Sequence, residues 1–319
     1  MKCAGLLLAA ALVFAALPYL VSNYVLYLLN LIAINVILAI GLDMLTGWTG
    51  QISLGHAGFA GVVAYASGLA ILHLGLPFWL AIPLAALFCA LVSLVIGAPA
   101  LRLTGHYLAL ATFGFGEVIQ LTIVHWERLT NGPRGLWVPV PTLGPLKLGT
   151  DRSLYFLIIP VTAALVLLAW NISRSAMGRA LLCIRMSELA ASSVGISLPR
   201  YKTLAFALSA FYAGIAGGLF GALVKFLDPL AFSVWYSILY LTMIAVGGMR
   251  SIPGAVIGAA LLTVLPELLG GLQHYMELGY GVLLLTFIIF IPKGIYGRLA
   301  VAIESWRSRP STAPSTARA

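Results

Sequence analysis

Long apolar runs dominate the chain, and short polar breaks separate them. The runs fall near 3–21, 23–42, 56–73, 77–101, 106–125, 154–172, 203–224, 232–248, 252–270 and 277–292. An α-helix needs roughly 20 apolar residues to cross the hydrocarbon of a bilayer. The pattern therefore predicts an all-α, polytopic membrane bundle of about ten transmembrane segments over residues 1–300. Two breaks are long, at 127–153 and 173–202. The tail 301–319 is polar and rich in Pro, Ser, Thr and Ala, and is expected to be disordered.

Composition removes the soluble classes. Apolar residues make up 61% of the 319 and charged residues only 8%, with a mean hydropathy of +1.05; an ordinary soluble domain is roughly 25% charged. The net charge of +9 does not point to nucleic acid. Basic residues of membrane proteins gather in cytoplasmic loops. With both termini inside, 13 of the 18 Lys and Arg residues fall inside and five outside, Arg128, Arg134, Lys147, Arg152 and Lys225. This predicts N-in, C-in, with 127–153 external and 173–202 cytoplasmic. The N-terminus, "MKCAGLLLAAALVFAALPYL", reads as a retained first span, because the next run starts at Tyr24 with almost no spacer. Cys3, Cys89 and Cys183 are far apart and form no disulfide framework or metal-ligand pattern.

The inside break carries its own element. Leu182, Met186 and Leu189 fall at i, i+4 and i+7 of a helix predicted over 176–194, flanked by Arg179 and Arg185. Gly195 is a natural left-handed stop, and Pro199 prevents continuation. Such a helix lies on lipid headgroups or docks in a groove of a cytoplasmic partner; the residues favour neither. The chain has no GxxxxGK[ST] phosphate loop, no HExxH and no GxSxG, so neither ATP hydrolysis by that route nor any catalytic constellation is read here. No cofactor or metal site is expected in this chain. The least apolar intramembrane stretch is "GWTGQISLGHAGFAG" at 47–61, with five glycines, a glutamine, a serine and a histidine.

These pieces resemble the permease subunits of branched-chain amino-acid ABC importers, in the LivM-like branch. The match comprises "GLDMLTGWTGQISLGHAGFAGVVAY" at 41–65, "RLTGHYLALATFGFGEVIQ" at 102–120, "LTNGPRGL" at 129–136, "SRSAMGRALLCIRMSELAASSVGISLPRYK" at 173–202, "AVGGMRSIPGAVIGAALLTVLPELL" at 245–269 and "IPKGIYG" at 291–297, in that order. The resemblance implies an importer of the bacterial inner membrane. An external binding protein delivers the amino acid, this chain pairs with a LivH-like second permease, and two cytoplasmic ATPase subunits supply ATP and Mg chemistry. The loop at 173–202 becomes the coupling element. Arg179, Leu182, Arg185, Met186, Glu188, Leu189 and Gly195 are then its ATPase-coupling residues, with Glu188 one residue earlier than the E-A-A-x-x-x-G pattern of such importers expects.

The stretch at 47–61 has two readings in that light. Small residues let helices pack closely, or the stretch is a broken segment beside the translocation path, where protein or a water-filled cavity shields irregular backbone. In the second reading Gly47, Gly50 and Gly55 shape a bend, and Gln51, Ser53 and His56 offer hydrogen bonds to substrate. Glu117, inside the fifth run, is expected to face the bundle or a cavity, as a partner for the substrate ammonium or as an interhelix tie. Asp43 and Glu267, near span ends, are expected to reach water. Glu127, Arg128 and Arg134 are candidate rim charges for the binding protein, against an ordinary solvated loop. The competing function is an ion-coupled secondary transporter using Asp43 or Glu117 without an ATPase. The substrate stays open between Leu/Ile/Val and urea, amides or aromatic acids.

Overall fold

In the computed structural model, the described residues are 14–100, 106–143, 146–268, 276–290 and 294–298. The first half of the expected first span, Arg102, Lys293 and the tail 301–319 lie outside them. The helices follow the apolar runs in order: α1 (14–20), α2 (Asn23–Leu42), α3 (His56–Leu74), α4 (Phe78–Ala100), α5 (His106–His125) and the single turn α6 (Glu127–Thr130). Then come α7 (Asp151–Arg174), α8 (Ala176–Met186), α9 (Glu188–Ser193), α10 (Leu198–Val224), α11 (Val234–Gly247), α12 (Ile252–Leu268) and α13 (Met276–Phe290).

Six helical segments, Asn23–Gly47, His56–Leu74, Phe78–Val95, His106–His125, Asp151–Arg174 and Leu198–Val224, are long and apolar enough to cross a membrane. The chain is a multi-pass helical membrane protein. Among the described residues, α11 is shorter than its run suggested. α11 has 14 residues, and at about 1.5 Å per residue it rises only about 21 Å against a hydrocarbon core of about 30 Å. Its run is cut because Pro229–Phe232 form a 3₁₀ turn before it and Gly248 ends it.

Local signals set the helix ends. Ser22 caps α2 by accepting from the Val25 N–H at 3.4 Å. Thr150 and Ser153 form a reciprocal capping box at the start of α7. α10 is the centre of the bundle and packs on α2, α3 and α4; its Phe206 and Tyr212 are fully buried, and the Tyr212 hydroxyl donates to the Leu165 carbonyl of α7 at 2.8 Å. α11 and α12 form a close hairpin at a glycine seam. A Cβ on Gly258 would overlap the Met243 carbonyl oxygen, so only glycine permits this approach.

The two ends of the bundle differ. One carries four two-residue strands: β1 (Leu136–Trp137) pairs antiparallel with β4 (Phe226–Leu227), and β2 (Thr142–Leu143) with β3 (Leu146–Lys147). The other carries α8 and α9. The predicted single helix over 176–194 is two helices. Ser187 is extended (φ −164°, ψ 119°), and its hydroxyl accepts from the Ala190 N–H at 3.2 Å. A serine that bonds its own backbone three residues on favours a new helix start over continuation.

Candidate functional site

At the α8 end, α2 does not stop cleanly. After Leu42 it widens into a π turn, Asp43–Gly47, and the chain then leaves helical geometry from Gly50 to Gly55. Of the two readings of the stretch at 47–61, the chain does break there, over Gly50–Gly55. A π turn leaves backbone groups without ladder partners, and side chains supply them. The Thr46 hydroxyl donates to the Gln51 carbonyl at 3.0 Å, and the Thr49 hydroxyl accepts from the Gln51 N–H at 3.3 Å. The Leu54 N–H donates to Thr112 Oγ1 on α5 at 3.0 Å, and the Ala57 N–H to Ser237 Oγ on α11 at 2.9 Å.

Glycine is required three times from the π turn to the start of α3. Gly50 has φ +79°, a left-handed conformation that costs glycine nothing. At Gly55 an added Cβ would lie 2.6 Å from the Thr112 carbonyl oxygen. Gly47 lies against the Asp43 carboxylate, which a Cβ there would overlap. Gln51 and Ser53 are buried, and Gln51 Oε1 has no hydrogen-bond partner among the described residues. His56 is also buried: Nε2 meets the Leu38 carbonyl at 3.0 Å and Nδ1 meets Ser209 Oγ at 3.3 Å. A neutral ring protonated at Nε2 satisfies both contacts, which tie α3 to α2 and α10.

Asp43 corrects the expectation from sequence. It does not reach water: it is 1% exposed, and its Oδ1 accepts the Arg250 N–H from the α11–α12 turn at 2.9 Å. Nearby, Arg185 of α8 donates from Nη1 to the carbonyls of Thr46 at 2.7 Å and Gly47 at 2.5 Å. These carbonyls are at the negative end of the α2 dipole, where a cation is favourable. Burial holds the Arg185 guanidinium below its ordinary value; the Arg250 charge acts in the same direction and the Asp43 carboxylate opposes both. Arginine nevertheless stays cationic at any working pH.

The α8–α9 loop has an inner and an outer face. Leu181 and Ile184 are buried against the bundle. Met186 and Leu189 are 83% and 82% exposed, and Leu182 is half-buried. Arg179 is exposed and donates to the Arg174 carbonyl at 3.0 Å. Glu188 pairs at 2.7 Å with Lys202 of α10, whose side chain is 6% exposed. Gly195 has φ +83° and closes the segment as a left-handed stop.

Nearer the strand end, α2, α3, α10, α11, α12 and the Pro229–Phe232 turn line a partly open cavity of about 510 Å³. Leu38 and Met243 lie toward its α8 side, with Tyr27, Phe220, Trp235 and Pro266 toward its strand side. Polar groups reach it from Asn35, Thr263 and Tyr240. Sequence reasoning missed this site. Asn35, an amide in the middle of an apolar run, was the available signal. Glu117 does not line the cavity; it is half-buried on α5, beside the Gly116 that packs against Gly55 and Gly58. Glu127, Arg128 and Arg134 are exposed at the strand end, far from α8.

Comparison with known proteins agrees with this architecture. The family described as "Branched-chain amino acid transport system / permease component" matches residues 24–291. The high-affinity branched-chain amino acid transport system permease protein LivM of Escherichia coli (strain K12) is 34% identical over 315 residues, covering 91% of this chain and 74% of LivM. The corresponding LivH permease protein of Salmonella typhimurium is 26% identical over 284 residues, covering 82% of this chain and 91% of LivH. Among solved structures, PsaBC from Streptococcus pneumoniae in complex with Fab overlaps 90% of this chain and 98% of that one, at 17% identity and a TM-score of 0.45, too low to argue from. With the family match running from the first residues of α2 past the end of α13, the chain belongs to the branched-chain amino-acid transport permease family, on its LivM-like side.

Proposed function

We propose that this chain is one permease of an ATP-driven importer that passes branched-chain or related amino acids across the bacterial inner membrane. It has about ten spans with both termini inside, so the α8 end is cytoplasmic and the strand end external. It pairs with a LivH-like second permease. Two cytoplasmic ATPase subunits, carrying ATP and Mg, drive it, and an external binding protein delivers the substrate. Glu127, Arg128 and Arg134 lie on the surface that this binding protein meets.

One observation carries the reading. Met186 and Leu189, large apolar side chains more than 80% exposed, project from a short two-helix platform whose Arg185 is bonded into the foot of α2. An exposed apolar pair on an anchored platform is a docking surface for a protein groove. A free amphipathic helix on lipid needs no such anchor. In this arrangement Arg179, Leu182 and Glu188 hold or flank the platform, and the break from Gly47 to His56 lies between the platform and the cavity. The Gln51 and Ser53 side chains face this lower part of the path, and Glu117 braces the α5 side of it.

Purification of the tagged protein from its native membrane in mild detergent tests the reading. The expected result is co-purification of an ATPase pair and a second permease. Isolation of this chain alone, together with ATP-independent uptake in vesicles, overturns it in favour of an ion-coupled transporter.

A further inference from the structure

The partly open cavity between α2, α3, α10, α11 and α12 has the size of a small-molecule site: about 510 Å³, within the range of roughly 300–1,000 Å³ usual for ligand pockets. Its lining contains no Asp, Glu, Lys, Arg or His. Most of it is aliphatic or aromatic, including Leu31, Leu38, Phe220, Leu239 and Met243. Polar groups in such a wall need partners, and two side chains here lack them. Tyr240 is 7% exposed, and its hydroxyl makes no hydrogen bond among the described residues. Asn35 donates from Nδ2 to Thr263 Oγ1 at 2.8 Å, and its Oδ1 accepts none among them. Tyr27 adds a second phenol on the strand side.

We infer that this cavity is a binding station for a small zwitterion with an uncharged, apolar side chain, held by Tyr240, Tyr27 and Asn35 within this single subunit. The Tyr240 phenol donates to the carboxylate and Asn35 Oδ1 accepts from the ammonium, while the aliphatic wall takes the side chain and Tyr27 closes the strand side. None of the lining residues carries a charge, the nearby carboxylates of Asp151 and Glu267 acting on only Tyr27 among them, at the strand side, so a charged side chain buried against this wall would lie there without a counter-ion in it, which is unfavourable. The station therefore excludes lysine and glutamate. Its floor also adjoins the break: Tyr240 packs edge-on against the His56 ring, with centroids 6.2 Å apart, and Leu38 gives that ring its carbonyl. The inference rests on the permease reading for its role in transport. The station itself can be tested without it.

Thiol labelling gives that independent test. In a chain with Cys3, Cys89 and Cys183 replaced by alanine, Ala231→Cys places a thiol on the cavity wall. Labelling of the purified transporter by a small maleimide should slow at least fivefold with leucine, and not with lysine or glutamate. Equal labelling with all three amino acids overturns the station, as does full blockade by the partner permease without any amino acid. The second measurement is uptake by the assembled transporter in proteoliposomes. Tyr240→Phe should raise the KM for leucine at least tenfold, and Ala231→Trp should abolish uptake, both with ATP hydrolysis and melting temperature held near wild type. Wild-type uptake in both variants overturns the station even if the importer reading stands. Leucine protection without ATP-driven uptake by the wild type upholds the station and overturns the importer reading instead.

Discussion

Arg185→Ala separates a docking surface from a working linkage. The guanidinium makes two bonds from α8 to the foot of α2, to the Thr46 carbonyl at 2.7 Å and the Gly47 carbonyl at 2.5 Å. Hydrogen bonds to a charged group are worth about 1.5–3 kcal/mol each, and the low end applies to a half-buried arginine, which gives about 3 kcal/mol for the pair. At 1.4 kcal/mol per factor of ten, that is about a hundredfold in the preference for a seated platform. Met186 and Leu189 are untouched by the change, so the ATPase pair should still bind and hydrolyse ATP. What should fall is the amount of amino acid moved per ATP, by at least tenfold. Uptake and phosphate release measured on the same proteoliposomes give that ratio directly. Arg185→Lys should recover part of it, because both bonds come from the single nitrogen Nη1 and an ammonium also carries more than one N–H. An Arg185→Ala transporter that assembles fully and keeps its ratio within twofold of wild type would refute the linkage.

Four further outcomes follow from the same geometry. Met186→Asp with Leu189→Asp should strip the ATPase subunits from the purified complex while leaving its melting temperature unchanged, and retained ATPase on size exclusion would remove the docking face. Glu188→Ala should strand the buried Lys202 charge; Lys202→Met in that background should restore stability, with a coupling energy of about 0.5–3 kcal/mol in a thermal-unfolding cycle. Gly55→Val should abolish uptake, since even a Cβ there meets the Thr112 carbonyl at 2.6 Å, and normal transport would remove the close approach from the argument. His56→Leu leaves the Leu38 carbonyl and Ser209 hydroxyl buried without their partner, at a cost of about 1–3 kcal/mol. Melting should drop by several degrees, and lost uptake without that drop would instead give His56 a direct contact with substrate.

Apolar periodicity located the helices because lipid and core both demand the same property, a long run without charge. It could not separate a helix that crosses from one that stops short. The run at 232–248 is as apolar as its neighbours, yet a 3₁₀ turn at Pro229–Phe232 and the stop at Gly248 leave only 14 helical residues. The break at 47–56 was legible because glycine and hydrogen-bonding side chains are out of place in a span. Asp43 was not: a carboxylate near a span end looks wet unless the α11–α12 turn, more than 200 residues away, brings the Arg250 N–H onto it. The single helix expected over 176–194 failed at Ser187 for a local reason that periodicity ignores, a hydroxyl starting a new helix. The cavity was invisible for the opposite reason. Its walls come from five helices and its polar groups are single residues in apolar runs, so only the packing of those helices reveals it.

The way in which the break is satisfied also limits how it can move. Backbone groups released between Thr46 and Ala57 are bonded to side chains on different elements: Arg185 on α8, Thr112 on α5 and Ser237 on α11. No water is available in the hydrocarbon to replace a lost partner. A shift of the segment must therefore carry those partners with it or leave them unbonded at about 1–3 kcal/mol apiece. α11 is the consequential member of the set. It holds Ser237, three residues before Tyr240, so the two lie on one helix face. A displacement of the α8 platform that pulls on Thr46 and Gly47 would have to pass through the irregular segment Gly50–Gly55 and the Ala57–Ser237 bond to reach the cavity floor. In this arrangement the glycines are not slack in the chain. They allow the close approaches at Gly47, Gly55 and Gly258 by which one end of the bundle is felt at its middle.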